Sequence, residues 1–204
     1  VLEQEIKLIV DSQDILESII QCGLIQSNMQ ERLGPIRFVA RYHDTPNRDF
    51  TRSNSSLRSR MEGELMRATF KEKGSIVDGF SQHHELETVI DGWLETTGML
   101  PEGALKSRVL QIVDENDPLE TIVSVEMSRT ILKLVVANTE IECAADSGCI
   151  LANQRFVPLC ELELELKRGE ILPMRQLAEE LKERFSLTWS RQTKFAIGME
   201  LWKT

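Results

Sequence analysis

The chain has 204 residues, of which 41% are hydrophobic and 28% charged, with a formal net charge of -9. That length suits one large domain or two small ones, and the composition suits a globular protein in water. A net acidic chain is a poor general nucleic-acid binder, because phosphate backbones need a cationic surface; a small cationic pocket for a small anion remains open. No segment reads as a signal peptide, and no apolar run is long enough to span a membrane as a helix. Cys22, Cys143, Cys149 and Cys160 form no CxxC pair, and the histidines do not complete a zinc set. They read as buried free thiols, which fits a reducing cytoplasm.

The chain opens on "VLEQEIKLIV", in which Glu3, Glu5 and Lys7 alternate with apolar neighbours. In a strand, alternation sends the charged residues to one face and the apolar ones to the other. "DSQDILESIIQCG" then reads as a helix capped by Ser12, with Ile15, Ile19 and Ile20 as its stripe and Gly23 at its end. Strand-like pieces follow: "IRFVARYHD", "SLRSRME", "LMRATFKEK" and "HHELETVI", separated by the turn-prone "DTPNRDFTRSNS" and a turn at Gly74. "DGWLETTGMLPEGALKSRVLQIV" reads as short helices crossing over. Strands resume with "TIVSVEMSR", "RTILKLVVAN", "TEIECAAD" and "FVPLCELELELK", with hairpin turns at "VANTE" and "DSGC". "LPMRQLAEELKERF" is an amphipathic helix with Pro173 near its start, and "SRQTKFAIGMELW" ends the chain as a short helix or turn.

Many strands and few helices predict an α+β fold: an antiparallel β-barrel with peripheral helices, in one domain over 1–204. A barrel of about eight strands can enclose one small ligand. The late row "CELELELKRG" puts Glu161, Glu163, Glu165 and Lys167 on one face and Leu162, Leu164 and Leu166 on the other. Like charges about 7 Å apart along a strand repel, and inside a barrel they need cations. Other strands supply them at the same period: Arg58 and Arg60 beside Glu62, Thr69 with Lys71 and Lys73, and Arg129. His83, Glu85 and Glu87 form another row, and Glu142 with Asp146 a further acidic one. An interior lined by both signs suits a polyanion together with a hard divalent cation, Mg²⁺ or Mn²⁺.

Taken in order, these motifs resemble the CYTH family, the triphosphate tunnel metalloenzymes. Glu3-Gln4-Glu5-Ile6-Lys7 matches its ExExK signature. Tyr42, Asp44 and Thr45 resemble its tyrosine–acid–threonine segment, Arg58 and Arg60 its LRxR, and Thr69 and Lys71 its TxK strand. Glu142 and Asp146 resemble its acidic hairpin, Glu163 and Glu165 its late Glu-rich strand, and Thr193-Lys194 its terminal SK. The likeness covers nearly the whole chain and is nearest to the bacterial inorganic triphosphatases.

The resemblance implies a closed antiparallel eight-stranded β-barrel, a tunnel with peripheral helices, and a metal-dependent enzyme that hydrolyses inorganic triphosphate, or another triphosphate compound, to pyrophosphate and phosphate. It implies metal-side carboxylates at Glu3, Glu5, Glu163 and Glu165, with Glu85, Glu142 and Asp146 as further acids. It implies phosphate ligands at Lys7, Arg58, Arg60, Lys71, Lys73, His83, Arg129 and Lys194, and catalytic roles for Glu3, Glu5 and Lys7. Glu161, which starts the row, is expected at the tunnel mouth, and Thr45 and Thr69 as structural hydrogen-bonders. Two positions depart from the pattern: His83 stands at or beside an expected Arg, and Ile131 where a Lys is expected. Competing readings are a class IV-type adenylate cyclase and a non-catalytic polyphosphate-binding module. Bacterial relatives often continue into a CHAD domain, a further expectation for the full-length protein. No nucleic-acid or membrane partner is expected.

Overall fold

The structure, a computed structural model, describes residues 2–72 and 76–203, with the backbone alone at position 83. In chain order its elements are β1 (Leu2–Ile9), α1 (Gln13–Gln21), α2 (Gly23–Gln26), β2 (Met29–Asp44), α3 (Asp49–Arg52), β3 (Ser55–Glu62), β4 (Leu65–Glu72), β5 (Ile76–Val77) and β6 (Phe80–Val89). A 3₁₀ turn (Thr97–Met99) and α4 (Ala104–Val109) lead to β7 (Glu120–Val136), β8 (Thr139–Ala152), β9 (Arg155–Arg168), α5 (Ile171–Phe185), β10 (Thr188–Trp189) and α6 (Lys194–Glu200). Antiparallel pairing runs β1-β9-β8-β7-β2-β3-β4-β6, and β6 pairs back with β1, which closes an eight-stranded barrel. Closure leaves the eight strands without a free edge. The two-residue strands β5 and β10 add to β6 and β1.

Register fixes which face is inside. Glu5 pairs with Glu165 and Lys7 with Glu163, while Ile6 pairs with Leu164 and Leu8 with Leu162. The leucine face points outward, into an apolar layer under α1, α2 and α5 that also contains Leu132, Cys143, Met174 and Leu181. A slip of one residue would turn those leucines into the tunnel and the glutamates into the layer. A second outer layer, built on Leu57, Phe70, Leu100 and Val109, lies under the 3₁₀ turn and α4. Ser12 caps α1, accepting from the Ile15 N–H at 3.3 Å.

Three sequence expectations need correction. "DSGC" (146–149) is no hairpin; it lies inside β8, and the turn comes at Asn153 and Gln154, both at positive φ. Asp146 is held there by Arg129, and Gly148 lets β8 approach β7 closely: a Cβ on it would sit 2.5 Å from the Met127 Cα. "TIVSVEMSR" and "RTILKLVVAN" are one strand of 17 residues. Of the cysteines only Cys143 is buried. The hairpin at Ala137-Asn138 is as expected, with both residues at positive φ. The Gly74 turn lies outside the described residues.

One end of the barrel is filled. The small helix α6 packs against an interior patch of Ala40, Tyr42, Val123, Val125 and Ile150, to which it adds Phe195, Ile197 and Met199. Thr193 caps it by accepting from the Ala196 N–H at 3.1 Å. The rings of Phe195 and Tyr42 lie 5.2 Å apart. Gly198 sits so close to β7 that an added Cβ would be 2.3 Å from the Val123 Cγ1. Just past the helix, the Trp202 indole N–H donates to the Ile122 carbonyl at 2.9 Å.

Candidate functional site

The other end of the interior is charged. On β1 the Lys7 ammonium lies 3.2 Å from Glu5 and 2.9 Å from Glu163 of β9. Burial alone would lower Lys7, but Glu163 and Glu5 outweigh it and hold the group well above the ordinary lysine value. Lys7 is therefore a fixed positive charge and not a base. Burial and the neighbouring Glu163 push the Glu5 carboxyl up, but Lys7, Lys71 and the Ser81 hydrogen bond together outweigh them, and the net result is a lowered pKa. Glu5 also accepts from the Ser81 hydroxyl at 2.9 Å. The sequence reading missed Ser81, although it lies two residues before His83 on the same strand face.

Across the barrel, β3, β4 and β6 bring together Arg58, Arg60, Thr69, Lys71, Glu85 and Glu87. Arg58 stands 3.6 Å from Glu85, which also pairs with Lys71. Lys71 in turn reaches Glu3 at 3.5 Å. Arg60 and Arg67 grip Glu87 from two sides, at 2.8 and 2.7 Å. Arg67 was overlooked in the sequence, yet it continues the Thr69–Lys71 alternation by two residues. Thr69 accepts from Arg58 and donates to Glu87, both at 3.4 Å, a structural role as expected. The buried Nε atoms of Arg58 and Arg60 have no protein hydrogen-bond partner among the described residues. A buried donor left without an acceptor costs about 1–3 kcal/mol, so these guanidinia are suited to an acceptor-rich ligand.

Deeper in, Arg129 holds Asp146 with two hydrogen bonds, at 2.7 and 2.6 Å, and reaches Glu163 at 2.8 Å. Lys194, arriving on α6, lies 3.0 Å from Asp146, 2.7 Å from Glu161 and 2.6 Å from Glu163. Burial would raise Glu163, but Lys194, Lys7 and Arg129 together hold it well below the usual carboxylate range. Glu161 is not at the mouth: it is 4% exposed, and burial raises its pKa despite Lys194. The sequence showed only that Glu161 starts the row; strand tilt and the arrival of α6 bury that end.

Toward the open mouth, Glu142 and Glu165 are register neighbours. Lys167 reaches Glu165 at 2.8 Å and Glu142 at 3.6 Å. Burial raises Glu165, Lys167 offsets part of this, and the neighbouring carboxylates Glu3 and Glu142 raise it further. Ile131 is buried and faces inward between Arg129 and Lys133, an aliphatic gap in the cationic set. Lys73 and the side chain of His83 lie outside the described residues. Asp44 works as a loop anchor: its carboxylate accepts from the backbone N–H of Thr45, Phe50 and Thr51 and from the Thr51 hydroxyl. Buried Thr45 donates to Asp49, also structurally.

The donor set fits a hard divalent cation. The closely grouped candidate ligands among the described residues are carboxylate oxygens, the ligand type preferred by Mg²⁺ and Mn²⁺. Asp146, Glu161 and Glu163 offer oxygens that all lie within 4.8 Å of one another, but the Lys194 ammonium already lies among them. Glu3, Glu142 and Glu165 form a second acidic group at the mouth whose mutual repulsion a cation would relieve.

Comparison with known proteins agrees with this architecture. The CYTH domain profile matches residues 2–196. An inorganic triphosphatase of Haemophilus influenzae is 27% identical over 162 residues, which cover 77% of this chain and 44% of that protein. The chain thus spans less than half the length of this curated relative. Among solved structures, a candidate adenylyl cyclase from Hippeastrum with a dominant triphosphatase activity superposes with a TM-score of 0.73 at 18% identity, covering 97% of this chain and 95% of the other. A candidate adenylate cyclase from Bacillus halodurans gives a TM-score of 0.56 at 16% identity, covering 93% and 92%. No helix among the described residues is long and apolar enough to cross a membrane.

Proposed function

Because the chain belongs to the CYTH domain family, we propose that it is a divalent-metal-dependent hydrolase of inorganic triphosphate, working inside the charged half of its barrel. The observation that carries this reading is the pair of buried Nε donors of Arg58 and Arg60 that have no protein hydrogen-bond acceptor among the described residues, set in a chamber that also holds carboxylates. A triphosphate supplies the missing acceptors, and a hard metal ion suits the acids. The triphosphatase relatives support the substrate class.

In this reading Arg58, Arg60, Lys71, Arg129 and Lys7 bind phosphate oxygens. Arginines take two oxygens of one group, and lysines act as point charges. Glu3, Glu5 and Glu165, with Glu142 beside them, would hold the ion, which supplies charge neutralisation and Lewis acidity when bound. Asp146, Glu163 and Glu85, also expected as metal ligands, are committed to protein cations and serve to position Arg129, Lys7, Arg58 and Lys71. Water attacks the terminal phosphorus in line, the bond from that phosphorus to its bridging oxygen breaks, and pyrophosphate leaves. Glu5, held ionised by Lys7, accepts the hydrogen bond that orients the water. At the other end α6 packs apolar side chains against the barrel interior, and no charged group of the site lies among them.

The test is a phosphate-release assay with Mg²⁺ or Mn²⁺, comparing tripolyphosphate with ATP. Faster release from tripolyphosphate, abolished by excess chelator, is expected. Formation of cyclic AMP from ATP would replace this reading with the cyclase one. Tight binding of tripolyphosphate without turnover would replace it with a binding module.

A further inference from the structure

We propose that the Lys194 ammonium is a tethered cation that fills the deep carboxylate cluster of Asp146, Glu161 and Glu163, so that divalent ions entering the tunnel are held only by carboxylates nearer the mouth. The proposal rests on the reading of the tunnel as a divalent-cation site and adds where in it such an ion cannot sit.

The ammonium lies 2.6–3.0 Å from all three carboxylates. Among the described residues these three form the one group of potential ligands that converges closely enough for a metal. The cluster is therefore already shaped around a cation, and the cation is part of the chain. It arrives from outside the strands. Lys194 is the first residue of α6, and α6 is fixed by the Thr193 cap, the Phe195–Tyr42 contact and the close seat of Gly198 on Val123. Those contacts place Lys194 where it is only 8% exposed, so it has little freedom to swing aside.

The neighbours reinforce the exclusion. Arg129 binds Asp146 and Glu163, and Lys7 binds Glu163. A divalent ion in this cluster would meet three fixed positive charges in a space that screens them poorly. Glu161 depends on Lys194 more than the others do, because among the described residues no other cation lies within ion-pair distance of it. At the mouth the balance is reversed: Glu3, Glu142 and Glu165 share Lys71 and Lys167 and are more exposed.

Counting bound Mn²⁺ by electron paramagnetic resonance of the free ion tests this without using activity. Lys194→Met, confirmed as folded by circular dichroism, should bind one more Mn²⁺ per chain than the wild type, and Lys194→Met/Glu161→Gln should lose that extra ion. Unchanged stoichiometry in folded Lys194→Met would overturn the proposal. Should Lys194→Met fail to fold, Glu161→Gln alone decides: it should leave the wild-type stoichiometry unchanged, and loss of an ion would show that metal uses the deep cluster after all. A wild type that binds no Mn²⁺ would count against the metal-dependent function, while the gain in Lys194→Met would still read out the role of Lys194.

Discussion

On β7, Arg129 and Lys133 face the interior toward its open end, and Val123 and Val125 face it toward the closed end. On β8, Glu142 and Asp146 contrast in the same way with Ile150. One set of strands thus encloses two chambers. The plugged chamber is filled with apolar groups that need nothing further. The charged chamber carries buried ions whose desolvation is offset by pairing, and it still leaves the Nε donors of Arg58 and Arg60 unmatched. The first is complete by packing alone, whereas the second is stable only while its charges stay paired, and the capacity to bind resides in what it leaves unmatched.

The largest break of this division should come from Arg129→Leu. It leaves fully buried Asp146 with Lys194 as its one remaining ion-pair partner among the described residues, and removes a partner of Glu163. Unpairing a buried ion of this kind typically costs about 3–5 kcal/mol, so urea unfolding should show a large fall in the midpoint. A change under about 1 kcal/mol would mean that Lys194 alone neutralises the cluster.

Glu5→Gln should do the opposite: turnover of tripolyphosphate falls roughly hundredfold, while thermal unfolding moves little, because Lys7 keeps its pair with Glu163 and Ser81 can still donate to the amide oxygen. A variant with near wild-type turnover would remove Glu5 from the mechanism.

His43 sharpens the comparison from outside both chambers. It is buried and bonded to Ser59, on the outer side of β3, and burial, with Arg41 adding repulsion, lowers its pKa to about 4. Between the ordinary histidine value and about 4 the unfolded chain binds a proton that the folded chain refuses. Its contribution is therefore complete above about pH 6.5 and is lost as the pH falls toward 4, a loss of about 3 kcal/mol. His43→Asn should flatten that part of the stability profile. Superimposable profiles would assign acid sensitivity to the tunnel carboxylates instead.

The smallest effect should come from Gly198→Ala. Alanine gains roughly 1 kcal/mol in a helix interior, but its methyl would lie 2.3 Å from Val123 Cγ1, and overpacking costs about 1–3 kcal/mol. A net loss near 1 kcal/mol is expected in calorimetric unfolding. A stabilised variant would show that the plug seats loosely.

The charged chamber was legible in the sequence because its strands also carry apolar outer faces, so charge and burial alternate visibly in "EQEIK", "LRSR" and "ELELELK". The plugged chamber was not. Along Ile122, Val123 and Val125 apolar residues serve both faces, and alternation carries no signal where each side is buried. The depth of Glu161 was hidden for a related reason: it depends on strand tilt and on a helix more than thirty residues later. "DSGC" has turn composition, but its Asp is an ion-pair partner and its Gly a point of close strand approach, which local propensity does not distinguish.

The most direct measurement is anomalous diffraction from crystals grown with Mn²⁺ and a non-hydrolysable triphosphate analogue. The account predicts phosphate density among Lys7, Arg58, Lys71 and Arg129, with the Mn²⁺ peak beside Glu3, Glu5 and Glu165. An analogue bound only on the outer surface, or a tunnel that excludes it, would contradict the assignment of the charged chamber as the reaction site.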